Sequence, residues 1–295
     1  MLSLSAFPLW FACFSLLSLL WGVCIGSFLN ACIYRIPNDL SVVHPRSFCP
    51  TCHMKVAWFD NLPVVSWLAL RGRCRCCRTF ISPRYLLVEC LVGVLFLLVW
   101  LKFDLVAGER PLGLDAVTDW KLVPIYWLMI AGLVLGTFVD FEHLIIPDRV
   151  TLGGIAAGLA LSVVAPRLHD TPDRLDALLR SGLGAAAGWC LLWGVALVGR
   201  MIFKKEAMGF GDVKLLGAIG AFIGWRGVIF TVVVSSFLGS LVGVVLVLAG
   251  KREMQSRIPY GPYLAFAALL WILWGSVFWG LYMSILGGAA WSAAA

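Results

Sequence analysis

Two aspartates stand at the edges of long apolar segments in this 295-residue chain, and carboxylates in such positions are candidates for chemistry. Asp140 closes an apolar run in the sequence GTFVDFEHLIIPDRV, and Asp212 precedes another in EAMGFGDVKLLGAIG. Two neighbouring carboxylates share a proton, because like charges a few ångströms apart do not both ionise readily. Such a pair can hydrolyse a peptide bond, with one carboxylate activating water and the other, protonated, polarising the carbonyl.

The residues before Asp212 favour a flexible turn. Gly209 and Gly211 flank Phe210 there. Because glycine has no Cβ, this turn would let the backbone lie close to an extended peptide substrate. We therefore interpret Gly209 and Gly211 as a substrate-approach turn.

Other roles remain open for the two aspartates from spacing alone. Each can be an interfacial carboxylate paired with Arg149 or Lys214, or a proton-relay acid in a transporter. Asp148 follows a proline that breaks the apolar run, and we interpret it as a helix cap or loop acid rather than a catalytic one.

A separate cluster of cysteines has the spacing of a metal site. Cys49 with Cys52 and Cys74 with Cys77 form two C-x2-C pairs separated by 21 residues. Four thiolates of this kind can complete a closed tetrahedral zinc site, which is structural because it leaves no coordination position open. Cys76 is a spare thiol that can replace Cys74 or Cys77 as a ligand. Free thiols or redox chemistry are the alternatives.

The composition decides what kind of protein must position these groups. Apolar residues make up 61% of the chain and charged residues only 13%. A soluble domain carries roughly 45–50% apolar and about 25% charged residues. The chain is therefore predicted to be an all-α polytopic membrane protein.

Eight apolar segments are predicted to be membrane helices, with a small cysteine domain between the first and the second. The predicted segments are 9–34, 84–102, 122–140, 150–166, 181–200, 213–225, 227–249 and 260–286. The predicted domains are a first membrane helix (1–34), a zinc-binding domain (35–83), a seven-helix membrane domain (84–286) and a tail (287–295).

Basic residues predict the orientation of these segments. The formal net charge is +7, but the Lys and Arg residues occupy short loops, which indicates topology rather than nucleic-acid binding. Sixteen of the 23 basic residues fall on the side that carries residues 35–84. That side is expected to be the cytoplasm, which is reducing and so disfavours disulfides among the cysteines. Both aspartates are expected at the same face.

Six motifs in order resemble those of the type IV prepilin peptidase (leader peptidase/N-methyltransferase) family. The likeness covers nearly the whole chain. The motifs are GSFLNACIYRIP (26–37), the cysteine loop (49–77), ISPRYLLVECLVG (81–93), Asp140 with Pro147-Asp148, the Gly-x-Gly-Asp signature (209–212) and IPYGPYLAFAA (258–268).

The resemblance implies an activity and its residues. It implies that Asp140 and Asp212 are the catalytic pair of an intramembrane aspartyl protease, and that the four cysteines of the two pairs bind zinc. It further implies cleavage of the leader of a type IV prepilin or type II secretion pseudopilin at the bacterial inner membrane. The new N-terminal residue is then methylated with S-adenosylmethionine. The sequence itself contains no pattern that indicates a methyl-donor site.

Two other classes of function compete with this interpretation. A transporter would use the aspartates in proton relay, but would favour internal repeats and interrupted helices near the midplane, and no repeat is visible. A membrane-anchored assembly factor would use the cysteine domain only to bind a partner, and would not need two acids beside glycine-rich turns. The peptidase is therefore the favoured prediction, with prepilins and membrane lipid as its partners.

Overall fold

The computed structural model describes residues 9–44, 46–102, 119–204, 208–249 and 259–285. These residues form eight α-helices, two 3-10 helices and connecting loops, without a strand beyond two isolated bridges. The α-helices are α1 (Leu9–Arg35), α2 (Val65–Ala69), α3 (Arg84–Lys102), α4 (Leu122–His143), α5 (Asp148–Val164), α6 (Arg174–Phe203), α7 (Phe210–Leu248) and α8 (Gly261–Ile285). The 3-10 helices are Trp58–Asn61 and Pro166–His169.

The prediction of an all-α, multi-pass membrane fold is confirmed. Within the described ranges, six helices (α1, α3, α4, α6, α7 and α8) are long and apolar enough to cross a membrane. The predicted segments 213–225 and 227–249 both lie in α7, and 150–166 lies mostly in α5, which has only 17 residues. A span needs about 17–25 residues, so α5 is at the lower limit. The predicted tail, 287–295, lies outside the described residues.

Two compact units make up the chain, Met1–Leu101 and Lys102–Ala295. In the first, α1 and α3 pack through small residues. A Cβ on Gly22 would lie 2.8 Å from the Cα of Gly93, and a Cβ on Gly26 would lie 2.7 Å from the Cα of Glu89. Small residues at these positions therefore let the two backbones touch, as is common between membrane helices.

A buried carboxylate on α3 holds the loop that carries the cysteines. Glu89 is only 7% exposed, and its Oε2 accepts a hydrogen bond of 2.7 Å from the backbone N–H of Val64. Val64 has φ 61° and ψ −55°, and the N–H of Val65 bonds to the carbonyl of Pro63 at 2.6 Å. This is a γ-turn with positive φ, which is rare and strained, above all for a β-branched residue. Glu89 supplies the contact that fixes it.

In the second unit, α7 packs closely against α5 and α6. A Cβ on Gly158 of α5 would lie 2.6 Å from the Cβ of Ala221, and a Cβ on Gly184 of α6 would collide with the carbonyl of Gly220. Gly224 interrupts α7 with φ 69° and ψ 177°. This break falls at the boundary between the predicted segments 213–225 and 227–249, so α7 consists of two helical stretches joined by a kink at Gly224.

Polar side chains support α7 next to that break. The carbonyl of Ala221 accepts a hydrogen bond from the hydroxyl of Ser181 at 2.7 Å, and Nε2 of His169 lies 3.2 Å away. Since a carbonyl only accepts, this geometry requires the proton on Nε2. Burial lowers the pKa of His169, so its ring stays neutral at ordinary pH. The carbonyl of Ala221, next to the break, is thus hydrogen-bonded by neutral donors.

Candidate active site and metal centre

The last turn of α4 carries Asp140 into the interior of the second unit. Leu144 caps the end of the helix: it adopts a left-handed conformation (φ 54°) and donates its N–H to the carbonyl of Asp140 at 3.0 Å. Asp140 is only 5% exposed. Its Oδ2 accepts a hydrogen bond of 3.1 Å from the backbone N–H of Gly261, the first residue of α8. The carboxylate is therefore oriented by the start of another helix.

The first turn of α7 carries Asp212. Its N–H bonds to the carbonyl of Gly209 at 3.2 Å, and the residue is only 8% exposed. A carboxylate in the first turn of a helix is stabilised by the free N–H groups there and by the helix dipole. A Cβ added to Gly209 would lie 3.3 Å from Oδ2 of Asp212, so the glycine leaves room for this carboxylate.

The fold brings the two aspartates together although 71 intervening residues separate them. Their carboxyl groups interact electrostatically. Ile146 lies between the elements that carry them, because its side chain is within 3.3 Å of a Cβ position at Gly211 and 3.2 Å of one at Gly261. The site thus has the features of a carboxylate dyad, with two acids at helix ends in a desolvated interior.

The ion pair proposed as an alternative for Asp212 forms elsewhere. Lys214 places its Nζ 2.7 Å from Oδ1 of Asp148, and the Asp148 side chain is 60% exposed. In the part of the chain that the structure describes, neither Asp140 nor Asp212 forms a salt bridge. Asp148, in the first turn of α5, therefore acts as the surface partner of Lys214 on α7. Among the described residues, no basic side chain pairs with Asp140 or Asp212.

Gly211 has a packing role that the sequence did not indicate. A Cβ at this position would lie 3.3 Å from the Cβ of Ile146, inside the protein. That distance is tighter than an ordinary contact, so a side chain there would press on the residue that joins both aspartate-bearing turns. The need for glycine at position 211 has at least this internal cause, whatever the substrate requires.

Gly261 is a site residue that sequence reasoning missed. A Cβ on it would lie 2.8 Å from Oδ2 of Asp140, so a side chain there would shift this carboxylate from its observed position. The sequence feature that could have pointed to Gly261 is the Gly-Pro pair at 261–262, inside the motif at 258–268. Proline is favoured in the first turn of a helix, and the preceding glycine then places a free N–H at the helix start.

The cysteine pairs of the first unit have matching backbone turns. The N–H of His53 bonds to the carbonyl of Cys49 at 2.9 Å, and the N–H of Arg78 bonds to the carbonyl of Cys74 at 3.1 Å. His53 and Arg78 both have positive φ, 56° and 60°. An antiparallel bridge flanks each turn, with Phe48 paired to Lys55 at the first and Arg73 paired to Phe80 at the second. Each pair is therefore a knuckle that presents two sulfurs on one side.

The four thiols predicted as ligands converge. Cys49, Cys52, Cys74 and Cys77 have Sγ atoms that all lie within 4.8 Å of one another, and the Sγ atoms of Cys49 and Cys77 are 3.7 Å apart. Four sulfurs around a tetrahedral zinc ion, each at about 2.3 Å, lie about 3.8 Å from one another. The cluster can therefore hold a zinc ion. Cys76 is exposed and is not part of it.

Two of the four thiols have a lowered pKa, which favours the thiolate form that binds a metal ion. Backbone N–H groups of Cys52 and Thr51 lower the pKa of Cys49, and hydrogen bonds with the side chain and backbone of Thr79 lower the pKa of Cys77 to about 6. For Cys52, the backbone of Met54 acts to lower the pKa, but burial and the neighbouring sulfurs raise it to about 12. The cluster thus holds thiolates that compete for protons, and a metal ion would displace those protons.

A side-chain contact ties the second knuckle to the rest of the cysteine domain. Arg75 donates two hydrogen bonds to the carboxylate of Asp60, at 2.7 and 2.6 Å. Asp60 belongs to the 3-10 helix Trp58–Asn61, and the arginine beside it lowers its pKa. The bidentate geometry is stronger than a single contact and fixes the orientation of the guanidinium group.

Comparison with known proteins gives the family. The bacterial peptidase A24 N-terminal domain matches residues 20–103, and the type IV leader peptidase family matches residues 127–244. The N-terminal match contains the cysteine cluster, and the second match contains both aspartates. No solved structure matches this chain significantly.

Three similar proteins carry the name prepilin leader peptidase/N-methyltransferase. The one from Myxococcus xanthus (strain DK1622) is 38% identical over 78% of this chain, which spans 62% of that protein's length. The one from Aeromonas salmonicida (strain A449) is 32% identical over 90% of this chain and 93% of its own length. The one from Pseudomonas putida is also 32% identical, over 94% of this chain and 96% of its own length. The resemblance seen in the motifs is confirmed, and this chain belongs to the type IV leader peptidase family.

Proposed function

We propose that this chain cleaves the leader peptide of type IV prepilins or type II secretion pseudopilins and methylates the new N-terminal residue. Cleavage takes place at the cytoplasmic face of the bacterial inner membrane, with Asp140 and Asp212 as the catalytic residues. The observation that carries this proposal is the meeting of two buried carboxylates at the ends of different helices. The names of the relatives support both activities.

The proposed cleavage follows from the chemistry of a carboxylate pair. One carboxylate takes a proton from water while the other, protonated, donates a hydrogen bond to the scissile carbonyl oxygen. Water attacks the carbonyl carbon, and a proton then passes to the departing amine as the C–N bond breaks. The Gly261 N–H holds Asp140 in place throughout. Burial of both side chains strengthens these interactions, because little water competes for them.

The zinc ion and the methyl donor have separate tasks in this proposal. Cys49, Cys52, Cys74 and Cys77 would hold zinc in a closed site, which stabilises the domain at 35–83 and takes no part in hydrolysis. The methyl group would come from S-adenosylmethionine. Residues 1–34 and 84–286 would form the membrane part, and 287–295 a tail.

The distribution of basic residues supports the proposed orientation. With the 35–83 domain in the cytoplasm, sixteen of 23 Lys and Arg residues are cytoplasmic, as the positive-inside rule requires. The same arrangement puts Asp140 and Asp212 at the cytoplasmic boundary. A substrate with a basic leader and an apolar helix would rest with its cleavage point at that depth.

Mass spectrometry of a coexpressed prepilin tests both activities at once. We expect the substrate from membranes containing this chain to have lost its leader and to carry one added methyl group on the new N-terminus. Substrate from membranes without the chain is the control and should retain its leader. A prepilin that stays uncut beside correctly inserted chain would contradict the proposal.

Gly261→Ala is expected to slow leader cleavage by about 100-fold, since displacing a positioned catalytic group by about 1 Å has an effect of this size. The added methyl group would lie 2.8 Å from Oδ2 of Asp140 and must push that carboxylate aside. The measurement is the cleavage rate per inserted molecule. Gly280→Ala on the same helix is the matched control, because a Cβ there meets nothing within 4 Å. Equal rates in the two variants would contradict the positioning role of Gly261.

A further inference from the structure

An exposed apolar surface lies in the cysteine domain, on residues 58–68, which we call the apolar segment. Its large apolar side chains are between 45% and 81% exposed, and they are Trp58, Phe59, Leu62, Val65 and Leu68. The 3-10 helix Trp58–Asn61 contacts α2, and the hydroxyl of Ser66 on α2 donates to the carbonyl of Phe59 at 2.9 Å. A contiguous apolar surface of this kind marks a site where a protein or a membrane binds.

A hydrogen bond to α3 fixes the depth of the apolar segment. Val64, in the middle of the segment, donates its N–H to Glu89. Helix α3 has 19 residues and is therefore about 28 Å long, close to the roughly 30 Å of a bilayer's hydrocarbon core. Glu89 lies about 7.5 Å along this helix from its first residue, Arg84. Amphipathic segments at a bilayer surface bury their apolar side chains to about 5–10 Å. The apolar segment is thus held where lipid headgroups meet acyl chains.

The polar groups of the apolar segment are paired within the protein. The N–H groups of Ser66, Leu68 and Leu70 donate to the carbonyls four residues earlier, at 2.9–3.1 Å. The indole N–H of Trp67 donates to the carbonyl of Ile81 at 3.2 Å. Backbone groups that face lipid must be satisfied internally, because no water is present to pair with them. The segment therefore meets the requirement for contact with acyl chains.

Basic residues accompany the apolar segment. Apart from the cysteines, residues 36–83 carry six Lys and Arg side chains but only two acidic ones. The guanidinium group of Arg75 lies 5.4 Å from the centre of the Phe59 ring. Anionic lipid attracts such residues near a membrane surface, whereas a second copy of this chain would bring the same positive charge against them. Four of the six follow the segment directly and are Arg71, Arg73, Arg75 and Arg78.

We propose that the apolar segment docks on the lipid bilayer, with its apolar side chains below the headgroups and the arginines at 71–78 on anionic headgroups. The occupant is lipid because a soluble partner would not reach side chains held at this depth. Leu87 and Leu91 of α3, which flank Glu89 in the chain, are also exposed, so lipid reaches this level of the first unit. The inference goes beyond the proposed function and does not depend on leader cleavage.

Photocrosslinking of the full chain tests this contact directly. The chain is placed in nanodiscs of phosphatidylethanolamine and phosphatidylglycerol, with Val65 replaced by p-benzoyl-phenylalanine, and its adducts are identified by mass spectrometry. Met54 is the control position, because it is similarly exposed (56% against 62%) but lies in the first knuckle, outside the segment. We expect lipid adducts at position 65 to exceed those at position 54 many-fold. Equal lipid labelling at both positions, or adducts at position 65 with protein instead of lipid, would overturn the inference.

Tryptic cleavage at residues 71–78 in the same nanodiscs gives a second measurement. Replacing Val65→Ser together with Leu68→Ser should speed this cleavage about tenfold, as the lost burial of one aliphatic side chain allows. Met54→Ser should leave the rate unchanged. Wild-type chain in phosphatidylcholine nanodiscs should also be cleaved faster, because the attraction of anionic headgroups is lost, and a folding defect of the variant cannot cause that change. Cleavage rates that ignore both the double variant and the lipid charge would contradict the docking.

Discussion

Asp140→Asn and Asp212→Asn are each expected to lower the rate of leader cleavage by about 100- to 10,000-fold, the usual contribution of a general acid or base. Asparagine keeps the shape of the side chain but can neither take up a proton from water nor supply one to the scissile carbonyl. The Gly261 N–H can still bond to the amide oxygen at position 140, so the local fold should persist. The measurement is the single-turnover cleavage rate of a prepilin by purified, inserted enzyme.

Asp148→Asn is the control for both variants. Its side chain is 60% exposed and pairs with Lys214, so its loss removes one surface ion pair. Such pairs contribute about 0–1 kcal/mol to stability, and cleavage should change only a few-fold.

Methylation of a substrate that has already been cleaved should survive in the Asp140 and Asp212 variants. Near-normal cleavage by either of them would show that the dyad is wrongly assigned.

Replacing both Cys49 and Cys52 by Ser is expected to reduce bound zinc from about one ion per chain to almost none. Structural zinc sites of this type contribute about 10–16 kcal/mol of apparent binding free energy, and two remaining thiolates do not form a closed site. The 35–83 domain should then become sensitive to limited proteolysis. Zinc is measured on purified protein by elemental analysis.

Cys76→Ser is the matched control, because Cys76 is exposed and stands outside the cluster. It should keep full zinc content and protease resistance. We expect leader cleavage to persist in the double variant, since the residues around Asp140 and Asp212 belong to the second unit. Unchanged zinc content in the double variant would refute the ligand set.

The cysteine site was accessible to sequence reasoning because its information is local. The two C-x2-C pairs predict two knuckles, and each knuckle is closed by hydrogen bonds within five or six residues. The apolar segments were accessible for the same reason. The ends of these segments were harder to predict. Helix α6 begins at Arg174, seven residues before the predicted start at 181. Its first turn is polar and is capped by Asp173, whose side chain accepts a hydrogen bond of 3.1 Å from the N–H of Asp176. An apolar run gives no sign of such a turn.

The support around the aspartates was not accessible, because it depends on contacts between distant parts of the chain. Asp140 and Gly261 are 121 residues apart, and their hydrogen bond exists only once α4 and α8 pack. Ile146 appears in the sequence as one more apolar residue, yet it touches both aspartate-bearing turns. The sequence pattern identifies which groups can react, whereas packing determines which neighbours orient them.

The contact between Glu89 and Val64 gives the biosynthesis of the protein an order. Val64 is synthesised 25 residues before the carboxylate that holds its turn, so the segment before α3 does not contain the partner that this turn needs. A backbone strained by about 1–3 kcal/mol does not persist without such a partner. The domain therefore reaches its final form only after α3 has been made and has placed Glu89 beside Val64. A fully folded cysteine domain is therefore a sign that α3 has already folded and packed.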